Sequence, residues 1–189
     1  MKPLLILALI ITCLVSACNN KNKTTGTDPA ATTGETPATL SATQEKIDAL
    51  EQLKPYTLEE MQAYIPAVLA GDSASSINTD NNMGTGFAEA VYQPTYSTSI
   101  ELSLFDLGGS AGAGLYNARF VNEMTEFKTE LSYSRVIDFK GGKAIERMDG
   151  NENLSSLTWI ANNRLLVELE GKNIGTDELK KIAGSIRLK

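Results

Sequence analysis

Residues 132–170 read SYSRVIDFKGGKAIERMDGNENLSSLTWIANNRLLVELE, and this stretch decides the fold. Four runs within it, at 132–139, 143–148, 155–161 and 164–170, have strand-like composition and length. Between them stand Gly141-Gly142, Asp149-Gly150-Asn151-Glu152-Asn153 and Asn162-Asn163, residues that tolerate the positive φ of hairpin turns. Links this tight join antiparallel neighbours. The stretch is therefore expected to be a meander.

Working upstream, residues 99–107 alternate Ile100, Leu102 and Leu104 with Glu101 and Ser103, the period-2 pattern of a half-buried strand. A second strand is expected at 87–93. Gly108 and Gly109 close the pair, and residues 111–127 then place Leu115, Ala118, Val121 and Met124 three apart, with Phe120 and Phe127 beside them. That spacing predicts the main core helix. Before a polar loop at 71–86 come two modest amphipathic helices. One covers 42–53 with Ile47, Leu50 and Leu53 on a face; the other opens on the capping box Thr57-Leu-Glu-Glu60 and stops by Pro66.

Downstream, Thr176 is expected to cap a last helix, with Asp177 and Glu178 in the first turn, where the helix dipole favours acids. The order of elements predicts one α+β domain over residues 41–189. It should be an antiparallel sheet of about six strands with helices packed on one face.

The chain begins with Met1 and Lys2, followed by an uncharged apolar run over 4–15 and then Ser16-Ala17-Cys18. A positive start, an apolar core and a small-residue cleavage site make a removable export signal. As a helix that run reaches about 18 Å at 1.5 Å per residue, short of the roughly 30 Å hydrocarbon core. Residues 19–40 follow, rich in Thr, Asn and Pro, with one large apolar residue, Leu40, at their end. They cannot bury enough surface to order themselves and are expected to be a tether of about 25 Å average span.

Val15-Ser16-Ala17-Cys18 resembles the lipobox of bacterial lipoproteins. The resemblance implies cleavage between Ala17 and Cys18, a diacylglycerol on the Cys18 thiol and often acylation of the freed amine. Residues 1–17 would be the signal peptide and 18–40 the lipidated cysteine with its tether. Two or three acyl chains at about 0.8 kcal/mol per buried methylene hold a membrane permanently. The uncharged Asn19 resembles the residues that let a lipoprotein travel to the outer membrane, which is favoured here, with the facing side open. The globular part resembles uncharacterised bacterial envelope proteins of PsbP/Mog1-like architecture. Residues 89–92, 100–109 and 165–171, with Asp177-Glu178-Leu179, carry that likeness, which implies a fold and an envelope setting but no reaction.

Composition narrows the function. The full chain has 17 Lys and Arg against 23 Asp and Glu, a formal charge of -6, and loses only Lys2 with the signal, which makes it -7. An acidic surface without basic clusters argues against nucleic acid as partner. With Cys13 removed and Cys18 lipidated, no thiol remains for disulfide chemistry. There is no histidine, which excludes Ser-His-Asp and Cys-His nucleophile systems and His-ligated zinc.

Several constellations read better as structure than as sites. Gly108-Gly109-Ser110-Ala111-Gly112-Ala113-Gly114 lies where a strand meets a helix, the place of phosphate loops, but lacks the Gly-Lys-Ser/Thr and the third glycine of the nucleotide motifs. A permissive connection capped by Ser110 explains it. Asn78, Asp80, Asn82 and Glu89 have an oxygen-rich spacing, yet Met83 stands where a calcium loop needs glycine, and Asp149, Asn151 and Asn153 have Ile160 in place of the bidentate acid. Trp159 reads as core, beside Leu157 and Ala161. Tyr92, Tyr96, Tyr116 and Tyr133 are candidates to line a groove.

No catalytic residue, metal site or cofactor is therefore assigned. The expected protein is a non-catalytic, lipid-anchored envelope protein that binds an envelope protein or a small ligand and holds the membrane through the acyl chains on Cys18. A scaffolding or accessory subunit of an envelope complex is the alternative, and a carboxylate-based hydrolase stands behind both.

Overall fold

The computed structural model describes residues 37–188, with side chains from Leu40 onward. The signal, Ala17, Cys18 and most of the tether lie outside the described residues. Helix α1 (Pro37–Glu51) starts inside the expected tether, and α2 (Leu58–Ala63) follows with the capping box the sequence predicts. A small hairpin, β1 (Val68–Leu69) with β2 (Asp72–Ser73), leads into β3 (Ser76–Asp80), β4 (Phe87–Thr95) and β5 (Thr98–Asp106). Helix α3 (Gly109–Tyr116) continues as a π-helical turn over Asn117–Val121. The remaining elements are β6 (Phe127–Lys128), β7 (Ser132–Phe139), β8 (Gly142–Asp149), β9 (Leu154–Ala161), β10 (Leu165–Lys172) and α4 (Thr176–Ser185).

The fold class is α+β, but the main antiparallel sheet has eight strands rather than about six, in the order β3-β4-β5-β10-β9-β8-β7-β6. The meander of β7 to β10 forms as predicted, with Asn153, Asn162 and Asn163 in the left-handed region at its turns. The two extra strands are edge strands. β3 lies in the expected loop, where its one large apolar residue, Ile77, is 46% exposed, so no alternation marks it. β6 covers only Ser134 and Tyr133 of β7. Beyond it, the Val136 N–H donates to Glu126 Oε1 at 3.0 Å.

Helices cover both faces, which corrects the one-faced expectation. On the first face Leu102, Leu104, Val167, Leu157 and Trp159 pack with Met61 of α2, Leu69 of the small hairpin, and Leu179 and Ala183 of α4. On the second, Phe105, Leu166 and Ile145 pack with Leu50 of α1, Ala113 of α3 and Phe120 of the π turn. A single antiparallel strand buries both parities only at its covered end. β5 does so at Leu104-Phe105 and becomes one-faced toward Ser99.

Three further expectations change locally. The core helix stops at Tyr116, because the π turn adds a residue to the winding and shifts its phase; Phe120 is buried and Ala118 exposed. Ser110 does not cap α3. Its glycines serve packing: Gly109 sits at φ +80°, and a Cβ on Gly112 would lie 2.4 Å from the Leu107 carbonyl carbon. Thr176 is the first helical residue of α4 rather than its cap, which is Gly175.

Two fully paired acids lock the first face. Asp106 has no exposure; its Oδ1 accepts from Arg164 Nε at 2.7 Å and the Gly108 N–H at 3.0 Å, and its Oδ2 from Arg164 Nη2 at 3.0 Å and the Tyr56 N–H at 2.7 Å. The guanidinium lies 3.4 Å from the centre of the Tyr56 ring, so the α1–α2 linker is tied to the sheet. Glu146 is 1% exposed. Its Oε1 accepts from Tyr133 Oη at 2.8 Å and Arg135 Nε at 2.6 Å. Its Oε2 faces Lys180 Nζ at 2.9 Å, an ion pair outside hydrogen-bond angles, which docks α4.

Candidate functional site

The second face has an apolar end and a polar end. Phe87, Phe105, Leu166 and Ile160 form one cross-strand row beneath the helices. The next row reads Glu89, Ser103, Glu168 and Thr158; the one after it reads Val91, Glu101, Glu170, Ser156 and Arg147. The side-chain period of two puts all of these on one surface, and of the helical cover only the π turn and the residues just after it reach over them.

Where the π turn overhangs this surface, a cavity of about 330 Å³ opens between Arg119 and Glu123 above and Arg147, Ser156, Thr158, Glu168 and Glu170 below. The π turn aims Arg119 inward. Its guanidinium carbon lies 4.7 Å from the Phe105 ring centre, and Nη1 meets Glu168 Oε2 at 3.1 Å and Oε1 at 3.4 Å. Stacking on an aromatic face while forking onto a carboxylate suits the planar arginine head. Across the cavity Arg147 Nη2 reaches Glu123 Oε2 at 2.5 Å, and its Nε approaches Ser134 Oγ at 3.4 Å. Each arginine thus has a carboxylate of its own.

The hydroxyls are less well served. Thr158 is 7% exposed and Ser103 9%, and neither hydroxyl has a hydrogen-bond partner among the described residues. They flank Glu168 in one row. Glu89, Glu101 and Glu170 have no cation paired with them among the described residues. Burial pushes the Glu168 carboxyl up, against the pull of Arg119. Burial raises Glu101 as well, with Glu89, Glu170 and Glu168 adding like-charge repulsion. The surface offers acceptors in excess of its cations: Arg119 and Arg147 are each held by a carboxylate, and Lys172, on the same face of β10, donates to the Glu152 carbonyl. Among the described residues no three acids converge to hold a metal ion.

The residues singled out from sequence lie elsewhere. Tyr92 is buried on the first face and donates to the Pro66 carbonyl at 2.6 Å, Tyr116 stacks on Phe120 under the second face, and Tyr96 is fully exposed at the β4–β5 turn. Tyr133 belongs to the Glu146 cluster, so the four tyrosines line no common groove. Trp159 is core, edge-on to Phe139 at 5.3 Å. Asp80 accepts the Asn82 N–H at 3.0 Å in a local turn, and Asp149 does the same for Asn151 at 2.9 Å. Arg119, Arg147 and Thr158 escaped notice because they meet only once the strands are ordered. The usable signal was the acids at alternate positions, Glu168 and Glu170, facing Glu101 across β5 and β10. No protein-family model, curated protein or solved structure matches this chain.

Proposed function

We propose that the chain is a lipid-anchored binding protein of the bacterial envelope, non-catalytic, with its ligand site in the polar cavity of the second sheet face. The anchor rests on Val15-Ser16-Ala17-Cys18 behind an apolar run too short to span. Acyl chains on Cys18 and the tether that follows would hold the domain near the outer membrane, the destination favoured by Asn19.

The observation that carries the site is the Thr158 hydroxyl, which lines the cavity beside Glu168 on a residue only 7% exposed and has no hydrogen-bond partner among the described residues. A ligand group that hydrogen-bonds this hydroxyl inside the cavity makes an orienting polar contact for which no side chain of the described residues competes. Binding is favoured over hydrolysis because the acids displaced upward, Glu101 and Glu168, lie on the second face, whereas those displaced downward, Glu146 on the first face, Glu59 on α2 and Asp177 on α4, lie on the other side of the sheet and cannot share a substrate with them. The accessory-subunit reading draws on Phe127 and Leu131, 53% and 54% exposed beside the short edge strand β6.

Intact-mass analysis of protein from its native membrane tests the anchor. Loss of residues 1–17 with acyl mass that Cys18→Ser abolishes is the expected result; an unacylated wild type refutes it. The site is tested by thermal-shift screening of small polar compounds against wild type and Thr158→Val. Stabilisation seen only in the wild type is expected, and equal shifts in both would move the site elsewhere.

A further inference from the structure

Resting on that reading of the cavity, we propose that its ligand is a flexible organic oligocation of the polyamine class, held by Glu89, Glu101 and Glu170 with one ammonium seated in the cavity at Thr158. Charge decides the sign. Five carboxylates, of Glu89, Glu101, Glu123, Glu168 and Glu170, face two guanidiniums and the ammonium of Lys172 on this surface; both guanidiniums are already paired within it, and Lys172 Nζ donates to the Glu152 carbonyl rather than to a carboxylate. An anion would have to break one of those pairs and settle among acids. A cation finds three carboxylates without one.

Geometry decides the shape. Glu101 and Glu170 are direct cross-strand partners, and Glu89 lies on the next strand, diagonal to Glu101. The array thus runs over three adjacent strands, about 10 Å at roughly 4.8 Å per strand, along a surface where Val91 offers the apolar contact. A chain of methylenes carrying ammonium groups at intervals matches this, whereas a metal ion needs acids that converge on one point. The cavity end supplies what a terminal ammonium requires. An ammonium has three donors and no acceptor, and Thr158, diagonal to Glu170 and 7% exposed, presents a hydroxyl with no other partner among the described residues. Glu101 held above the usual carboxylate range by burial and by its acidic neighbours is the state that a bound cation would relieve.

The experiment is isothermal titration of spermidine into the full-length chain in detergent at low salt, with glycylglycine as a zwitterionic probe. Saturable binding of spermidine is expected. Glu101→Gln/Glu170→Gln should weaken it about ten-fold or more, since hydrogen bonds to charged groups are the strong ones, with a melting temperature no lower than wild type. Thr158→Val, which keeps the β-branched shape, should weaken it several-fold. The control Glu130→Gln/Glu152→Gln removes the same charge from loops and should stay within about two-fold. Spermidine heats that never saturate, or a control that loses as much as the Glu101/Glu170 pair, overturn the proposal. Glycylglycine binding alone, lost in Thr158→Val, would leave the cavity as a site and remove the cation. Silence from both probes removes both.

Discussion

The two faces of this sheet bury acids in opposite ways. On the first, Asp106 and Glu146 are sealed from solvent and every carboxylate oxygen meets a donor or a cation. On the second, around the cavity, Glu168 has a cation while Glu89, Glu101 and Glu170 have none among the described residues, and two hydroxyls beside Glu168 have no partner among them. The same backbone, the same strands and alternate residues produce both. A satisfied acid holds the fold together, while an array left short of donors is a surface kept ready for something else to complete it.

The sharpest way to break this contrast is to remove an acid from the sealed side. Asp106→Ala leaves Arg164, only 16% exposed, without its counter-charge and should lower stability by about 3–5 kcal/mol in urea unfolding. A loss below 1 kcal/mol would mean that the first face is not locked as described. Glu146→Gln should cost less, about 2 kcal/mol, because Arg135 is 52% exposed and can turn to water; detachment of α4 would show as faster amide exchange at Leu179 and Ala183.

On the open side the sign reverses. Glu101→Gln/Glu170→Gln removes two like charges directly opposite each other and should stabilise the free protein by about 0.5 kcal/mol, an effect that rising salt erases. A destabilised variant would show that these acids support the fold after all.

The smallest effect is in pH dependence. Glu101 and Glu168 are held above the ordinary 4.5 in the folded state, so their contribution is fully present below that value and is lost as pH rises through the raised one. Glu146 is held below 4.5, so its contribution is present above 4.5 and lost as pH falls through the lowered value. Melting temperature should therefore rise slightly on acidification from neutrality and fall once the pH drops below about 4.5. Glu101→Gln/Glu168→Gln should flatten the rise and leave the fall.

The meander and the strand at β5 were legible because their turns and alternation are local. Edge strands β3 and β6 were not: an exposed edge needs no apolar pattern, and Ser-Ile-Asn-Thr-Asp reads as loop. The second helical layer was hidden for a related reason. Phe105 and Leu166 break the alternation of β5 and β10, and those breaks mark the strand ends buried on both sides. The phase shift at the π turn, which puts Arg119 over the cavity, has no signature in residue spacing. The acids were visible singly; their adjacency depends on β5 pairing with β10, some 60 residues away in sequence, a tertiary choice.

The Glu126 carboxylate on the Val136 N–H has a consequence for life at high local density. β6 ends after two residues, and the strand behind it would otherwise present its next outward N–H as a template for a stray strand. A charged side chain occupying that donor closes the seam at the point where growth into a ribbon would start. If the domain is tethered to a membrane as proposed, with many copies on one plane, that plug would keep neighbours colliding without stitching together.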